Sequence, residues 1–172
     1  TKTLPNGQRV LRTTPDGKLL LTSNGSTPKG DFPTLNAFDP GSKQVTPVFK
    51  SRDGMYEQVA AVLDDGGKTL LVRRESPADP GNYFLRAGDK ETQLTFNKDP
   101  YPELRSVSKQ LVTTKRADGV TISFTLYLPP GHKAGEKLPT VFWAYPREFN
   151  DPGTAGQVTG SPNRFVTLTG YS

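Results

Sequence analysis

Two stretches of this 172-residue chain repeat each other at an offset of 50 residues. Thr14-Pro15-Asp16-Gly17-Lys18-Leu19-Leu20-Leu21-Thr22 runs parallel to Asp64-Asp65-Gly66-Gly67-Lys68-Thr69-Leu70-Leu71-Val72. Each copy is a Gly-Lys turn followed by an apolar run. Glycine suits a turn position of positive φ, and the run suits a buried strand. A second match follows in the same order. Phe38 to Thr46 parallels Leu85 to Thr95 with a two-residue insertion, and both read as strand, Gly-containing hairpin turn and short strand. A repeat near 50 residues with about four short strands per unit is the pattern of a β-propeller blade. The alternative is a pair of independent hairpins in a sandwich. Blades stack because one sheet cannot bury both of its faces. Two blades do not close a propeller, so the repeat is expected to be the last part of one, occupying residues 1–103.

Composition agrees with short strands and many turns. The chain has 17 Gly and 16 Pro, and only 33% of it is hydrophobic, which disfavours a helical bundle or coiled coil. The longest apolar runs, such as Val59 to Leu63, are five residues, against the roughly 20 that a membrane helix needs. The net charge of +5 is spread without a basic stripe, so neither a nucleic-acid nor a membrane partner is expected. There is no cysteine, which excludes disulfides, zinc–cysteine sites and thiol catalysis. Thr1 to Val10 has no apolar core of a signal peptide, and the chain does not open on Met, so it is expected to begin inside a longer protein.

After Thr95 the texture changes. Phe96 to Glu103 carries two prolines and no strand period, and reads as a linker. Gln110 to Arg116 and Val120 to Leu128 flank Ala117-Asp118-Gly119 and predict a hairpin. Val120, Ile122, Phe124, Leu126 and Leu128 share one face of its second arm. Leu138 to Tyr145 is apolar on both faces and predicts a buried central strand that Pro146 ends.

These residues resemble a family. The terminal blade, the Pro-rich crossover, Tyr127-Leu128-Pro129-Pro130-Gly131 and the Leu138 to Pro146 run look like the domain junction of the prolyl oligopeptidase family of serine peptidases. Phe142 to Phe149, Ala155 to Val158 and Gly160 to Phe165 are similar to its glutamyl endopeptidase branch, known from chloroplasts and bacteria. The resemblance implies a mostly β chain: propeller blades, then the first strands of an α/β-hydrolase domain over 104–172. It implies a peptide substrate, the remainder of the same polypeptide as partner, no cofactor or metal, and a chloroplast, periplasmic or secreted location. The family's Ser, Asp and His follow in that order, all beyond the Trp143-Ala144-Tyr145-Pro146 strand. The chain itself is then inactive.

The residues agree that the chain holds no triad. Serine catalysis needs a base and an orienting carboxylate, and the only histidine, His132, sits in a Pro-Pro-Gly-His-Lys loop. No complete Gly-x-Ser-x-Gly occurs, and Gly170-Tyr171-Ser172 is half of one. By the resemblance, Tyr145 at the carboxyl end of its strand is a candidate oxyanion donor; the other reading is a core tyrosine with a structural partner. The usual Tyr-Gly-Gly or Tyr-Ala-Gly is replaced here by Tyr145-Pro146-Arg147-Glu148. Arg147 is the candidate for the substrate carboxylate, with Arg164 or residues outside this chain as rival candidates and an Arg147–Glu148 surface pair or a domain-interface salt bridge as the structural alternative. Of Arg73 and Arg74, at most one faces a channel, because neighbours on a strand point to opposite faces. A non-catalytic binding propeller, and an acylaminoacyl peptidase or esterase on the same scaffold, are the other functional readings.

Overall fold

The computed structural model describes residues 1–27, 29–144 and 160–167. The chain opens with a small ladder of β1 (Lys2–Thr3) and β2 (Arg9–Val10). The first larger sheet has three antiparallel strands, β3 (Leu19–Ser23), β6 (Thr34–Phe38) and β7 (Val45–Lys50), in the order β3-β6-β7. A two-residue pair, β4 (Ser26–Thr27) with β5 (Gly30–Asp31), sits in the connection between β3 and β6. The second sheet is a four-stranded meander of β8 (Tyr56–Val62), β9 (Thr69–Glu75), β10 (Asn82–Ala87) and β11 (Lys90–Gln93).

The repeat seen in the sequence is a repeat of hydrogen bonds. In the first copy Thr14 Oγ1 accepts from the Lys18 amide at 3.0 Å, and Gly17 has φ of 82°. In the second, Asp64 Oδ1 accepts from the Lys68 amide at 3.2 Å and from Gly66 at 2.7 Å, and Gly67 has φ of 70°. A short polar side chain thus holds the turn at its first residue, and glycine takes the left-handed position that L-residues avoid. β3 and β9 follow these turns, 50 residues apart. The first copy departs from the second at its opening strand. Residues 9–12 stand where β8 stands, but only an Arg9–Val10 strand and the Leu20 amide bond to the Arg12 carbonyl at 3.2 Å form there.

Strand alternation decides what each face meets. Leu70, Val72 and Arg74 point to one side of the second sheet; Leu71, Arg73 and Glu75 point to the other. The first side packs on the first sheet. Leu35, Phe49, Leu70 and Val72 form the buried cluster, with Leu20, Val48, Val59 and Val62 around it. Pro47 is accommodated because β7 is an edge strand and the register shifts beside it, between Leu35 and Asn36. The β10–β11 turn has two residues, with Gly88 at φ of 59° in the first position, as a type II′ hairpin requires.

The linker expected from Phe96 onward has no strand and ends in a short 3₁₀ turn, Pro102–Ser106. The expected hairpin follows as β12 (Ser108–Lys115) and β13 (Thr121–Leu128), with Lys115 opposite Thr121 and Gly119 at φ of 85°. Its apolar face is not closed over, and Phe124 stays 41% exposed. The third strand expected from Leu138 is a correction. Residues 138–144 form no strand, and Val141, Phe142 and Trp143 are 93%, 89% and 71% exposed. Both faces of that segment are apolar, so it needs strands on either side to pair with, and among the described residues none is placed there.

Candidate functional site

The second sheet carries one buried carboxylate toward each side, and each holds two guanidinium groups. On the side of the first sheet, Glu57 is 1% exposed. It accepts from the Arg52 amide at 3.0 Å, from Arg52 Nη2 at 2.6 Å and from Arg74 Nε at 2.7 Å. Glu91 closes the network with Arg52 Nη2 at 3.3 Å and a contact to Arg74 Nη2. Arg74 also lies 3.9 Å over the Phe84 ring. The backbone before Glu57 is fixed too: Ser51 Oγ donates to the Met55 carbonyl and accepts from the Glu57 amide at 2.9 Å. Burial pushes the Glu57 carboxyl up, but hydrogen bonds from Arg52 and Arg74 outweigh it and hold it below its ordinary value. Arg74 brings the Glu91 carboxyl down as well. Beside this network lies an open cleft of about 440 Å³ between β7 and the β10–β11 hairpin, lined by Phe49, Lys50, Arg86 and Asp89 among others.

On the opposite side, Glu75 is 3% exposed. Arg73 Nη1 reaches it at 2.7 Å and Arg164 Nε at 3.0 Å. Arg164 lies 5.0 Å over the Tyr56 ring, and its carbonyl accepts from Lys109 Nζ at 3.2 Å. Burial, and then the charge of Arg164, push the Lys109 amine below its ordinary value, with Glu75 acting the other way.

Arg164 belongs to a strap, residues 160–167, that touches β5, the second sheet, the 3₁₀ turn and β12. The Gly160 carbonyl accepts from the Asp31 amide at 3.0 Å. Pro162 packs on Gly30, where a Cβ would come within 2.5 Å of its ring. Asn163 Nδ2 donates to the Met55 carbonyl at 3.3 Å. Arg105 of the 3₁₀ turn lies 4.0 Å over the Phe165 ring, donates to the Val166 carbonyl and pairs with Asp99 at 2.7 Å. Ser161 and Val166 are buried. The Gly160 to Phe165 motif therefore ties the β4–β5 pair and the second sheet to the β12–β13 hairpin.

Tyr145 and Arg147, the two site residues expected from the sequence, lie outside the described residues, as do Glu148 and Gly170-Tyr171-Ser172. Arg73 and Arg74 do face opposite ways, and each is engaged by a buried carboxylate. His132 is in a turn, with Nε2 3.4 Å from the Glu136 carbonyl and no carboxylate of the described residues on it. Sequence reasoning missed Glu57, Glu75 and Lys109. The one local signal was the Arg73-Arg74-Glu75 triplet ending an apolar strand, where a charge must find a partner or stay wet. Among the described residues no group of His, Cys, Asp or Glu is placed to hold a metal ion, and no helix is long and apolar enough to cross a membrane.

The chain is similar to part of two plant proteins. It is 36% identical over 162 residues to a probable glutamyl endopeptidase, chloroplastic, of Oryza sativa subsp. japonica, which covers 86% of this chain and 17% of that protein. It is 36% identical over 163 residues to a protein of the same description from Arabidopsis thaliana, covering 87% of this chain and 17% of that protein. The chain thus spans about one sixth of the length of these relatives. The similarity supports a peptidase family. No family model and no solved structure matches the chain.

Proposed function

We propose that this chain is part of a serine peptidase of the prolyl oligopeptidase family that hydrolyses oligopeptides through an acyl-enzyme, with Glu as the residue it cleaves after. The observation that carries the reading is the 36% identity extending over 86% of the chain to a protein described as a glutamyl endopeptidase. In this reading residues 1–103 are the last blades of a propeller, and 104–172 begin the hydrolase domain. The meander, the shared turn chemistry and the inter-sheet core are what stacked blades require. The exposed 138–144 segment is what a central hydrolase strand becomes without its neighbours. The strap is then a contact between the two domains.

The nucleophile, base and orienting carboxylate lie outside these residues, so this chain alone turns nothing over. Tyr145 donates its hydroxyl to the oxyanion of the tetrahedral intermediate. The test is Tyr145→Phe in the full-length protein, assayed on peptides containing Glu. Loss of one oxyanion donor is expected to lower kcat by about 10²–10³-fold with thermal unfolding unchanged. An unchanged kcat removes Tyr145 from the mechanism. Turnover of a Glu-containing peptide by the 172-residue chain alone overturns the larger reading.

A further inference from the structure

We propose that Arg73, Lys109 and Arg164, grouped around the buried Glu75, form a binding site for the carboxylate of an acidic peptide side chain. Three cations stand here against one carboxylate. Among the described residues Glu75 is the only carboxylate within ion-pair distance of Arg73 or Arg164, and Lys109 has none. Like charges held this close repel, and an added anion relieves that repulsion.

The cations are held in place before any ligand arrives. Glu75 grips Arg164 through Nε, and the Tyr56 ring lies beneath the same guanidinium. The two Nη nitrogens of Arg164 donate no hydrogen bond to the described residues, and the side chain is 53% exposed. Arg73 gives Nη1 to Glu75 and is 32% exposed. Lys109 is anchored on the Arg164 carbonyl, and burial first, then the Arg164 charge, lower its pKa, with Glu75 acting the other way. Planar guanidinium edges match a carboxylate with two parallel bonds, which orders the ligand as well as attracting it. The three residues come from β9, β12 and the strap, so the site exists only while the strap is docked. The choice of a peptide carboxylate over another anion rests on the peptidase reading above.

The test is binding to the full-length protein of N-acetyl-glutamate α-amide, N-acetyl-glutamine α-amide and inorganic phosphate, followed by calorimetry. The glutamate compound is expected to bind at least about tenfold more tightly than its uncharged isostere, as a charge-assisted bidentate contact allows. Lys109→Met and Arg164→Gln are each expected to reduce that preference by about fivefold or more. Lys109→Met keeps the side chain's length and tests the site even where Arg164→Gln loosens the strap, which thermal unfolding reads. Equal binding of the two amides, binding of neither, or a preference untouched by both variants overturns the proposal. Phosphate binding as tight as the glutamate compound overturns the carboxylate assignment. Failure of the peptidase reading shows differently: the glutamate preference persists while the full-length protein cleaves no peptide.

Discussion

Replacing Glu57 by Gln removes one charge and almost no volume from the interior between the two sheets. In the native chain the carboxylate takes Arg74 Nε at 2.7 Å and Arg52 Nη2 at 2.6 Å. At an effective dielectric of about 20, charges at such a distance attract by roughly 6 kcal/mol gross, and dehydrating the carboxylate takes back several. The net is therefore read from what the variant leaves behind. The Arg74 side chain is only 14% exposed and keeps Glu91 alone, whereas Arg52 is 50% exposed and rehydrates. Breaking a buried pair costs about 3–5 kcal/mol, and the surviving Glu91 contact puts Glu57→Gln at the lower end, near 3 kcal/mol. For a chain of this size that lowers Tm by about 6–12 °C. Thermal unfolding followed by circular dichroism at neutral pH reads it directly. The pH dependence gives a second arm. The folded Glu57 carboxyl titrates below its ordinary 4.5. Its stabilisation is thus complete above the unfolded value and is lost as pH falls through the folded one. The Tm gap between native protein and variant should shrink under acid. A drop of less than about 2 °C at neutral pH, or a gap unchanged at about pH 2, would refute the reasoning.

Three further outcomes follow from the same structure. Asp64→Ala removes the acceptor for the Gly66, Lys68 and Thr69 amides in the second Gly-Lys turn and should cost about 1–2 kcal/mol in chemical denaturation; no loss would show that the repeat turn forms without its side chain. Gly25→Ala places a Cβ 1.8 Å from the Phe32 carbonyl at a residue with φ of 59°, so a loss on the order of 2 kcal/mol or more is expected; a neutral result would show that the close approach of Gly25 to Phe32 is not needed for folding. Trp143, the single tryptophan, is 71% exposed, so its fluorescence in this chain should be quenched readily by acrylamide, and a protected indole would contradict that exposure.

What could be read from the sequence was local. The Gly17 and Gly67 turns, the Gly88 hairpin and the Asp118-Gly119 hairpin each announce themselves within a few residues, because a positive φ or an Asx bond is a local demand. The strand faces followed from alternation, which is why Arg73 and Arg74 separated as expected. The carboxylate networks were not legible. Arg164 is 89 residues from Glu75, and Arg74 is 17 from Glu57, and no spacing rule links them before the sheets are packed. The segment from Leu138 failed as a strand for a related reason. Its composition states what it can bury, but a strand also needs a neighbour. Arg164 shows how the two combine. The sequence offered it only as a rival to Arg147 for a carboxylate, and the structure adds the buried Glu75 and Tyr56 that hold it still.

The central claim is that these residues belong to a serine peptidase whose nucleophile lies elsewhere in the polypeptide. Treating the full-length protein with a fluorophosphonate and locating the adduct by peptide mass spectrometry tests it most directly. The account expects one labelled serine, outside the 172 residues described, with labelling and peptide cleavage lost together. A correctly folded protein that takes no label, or one labelled on a serine within these residues, would contradict it.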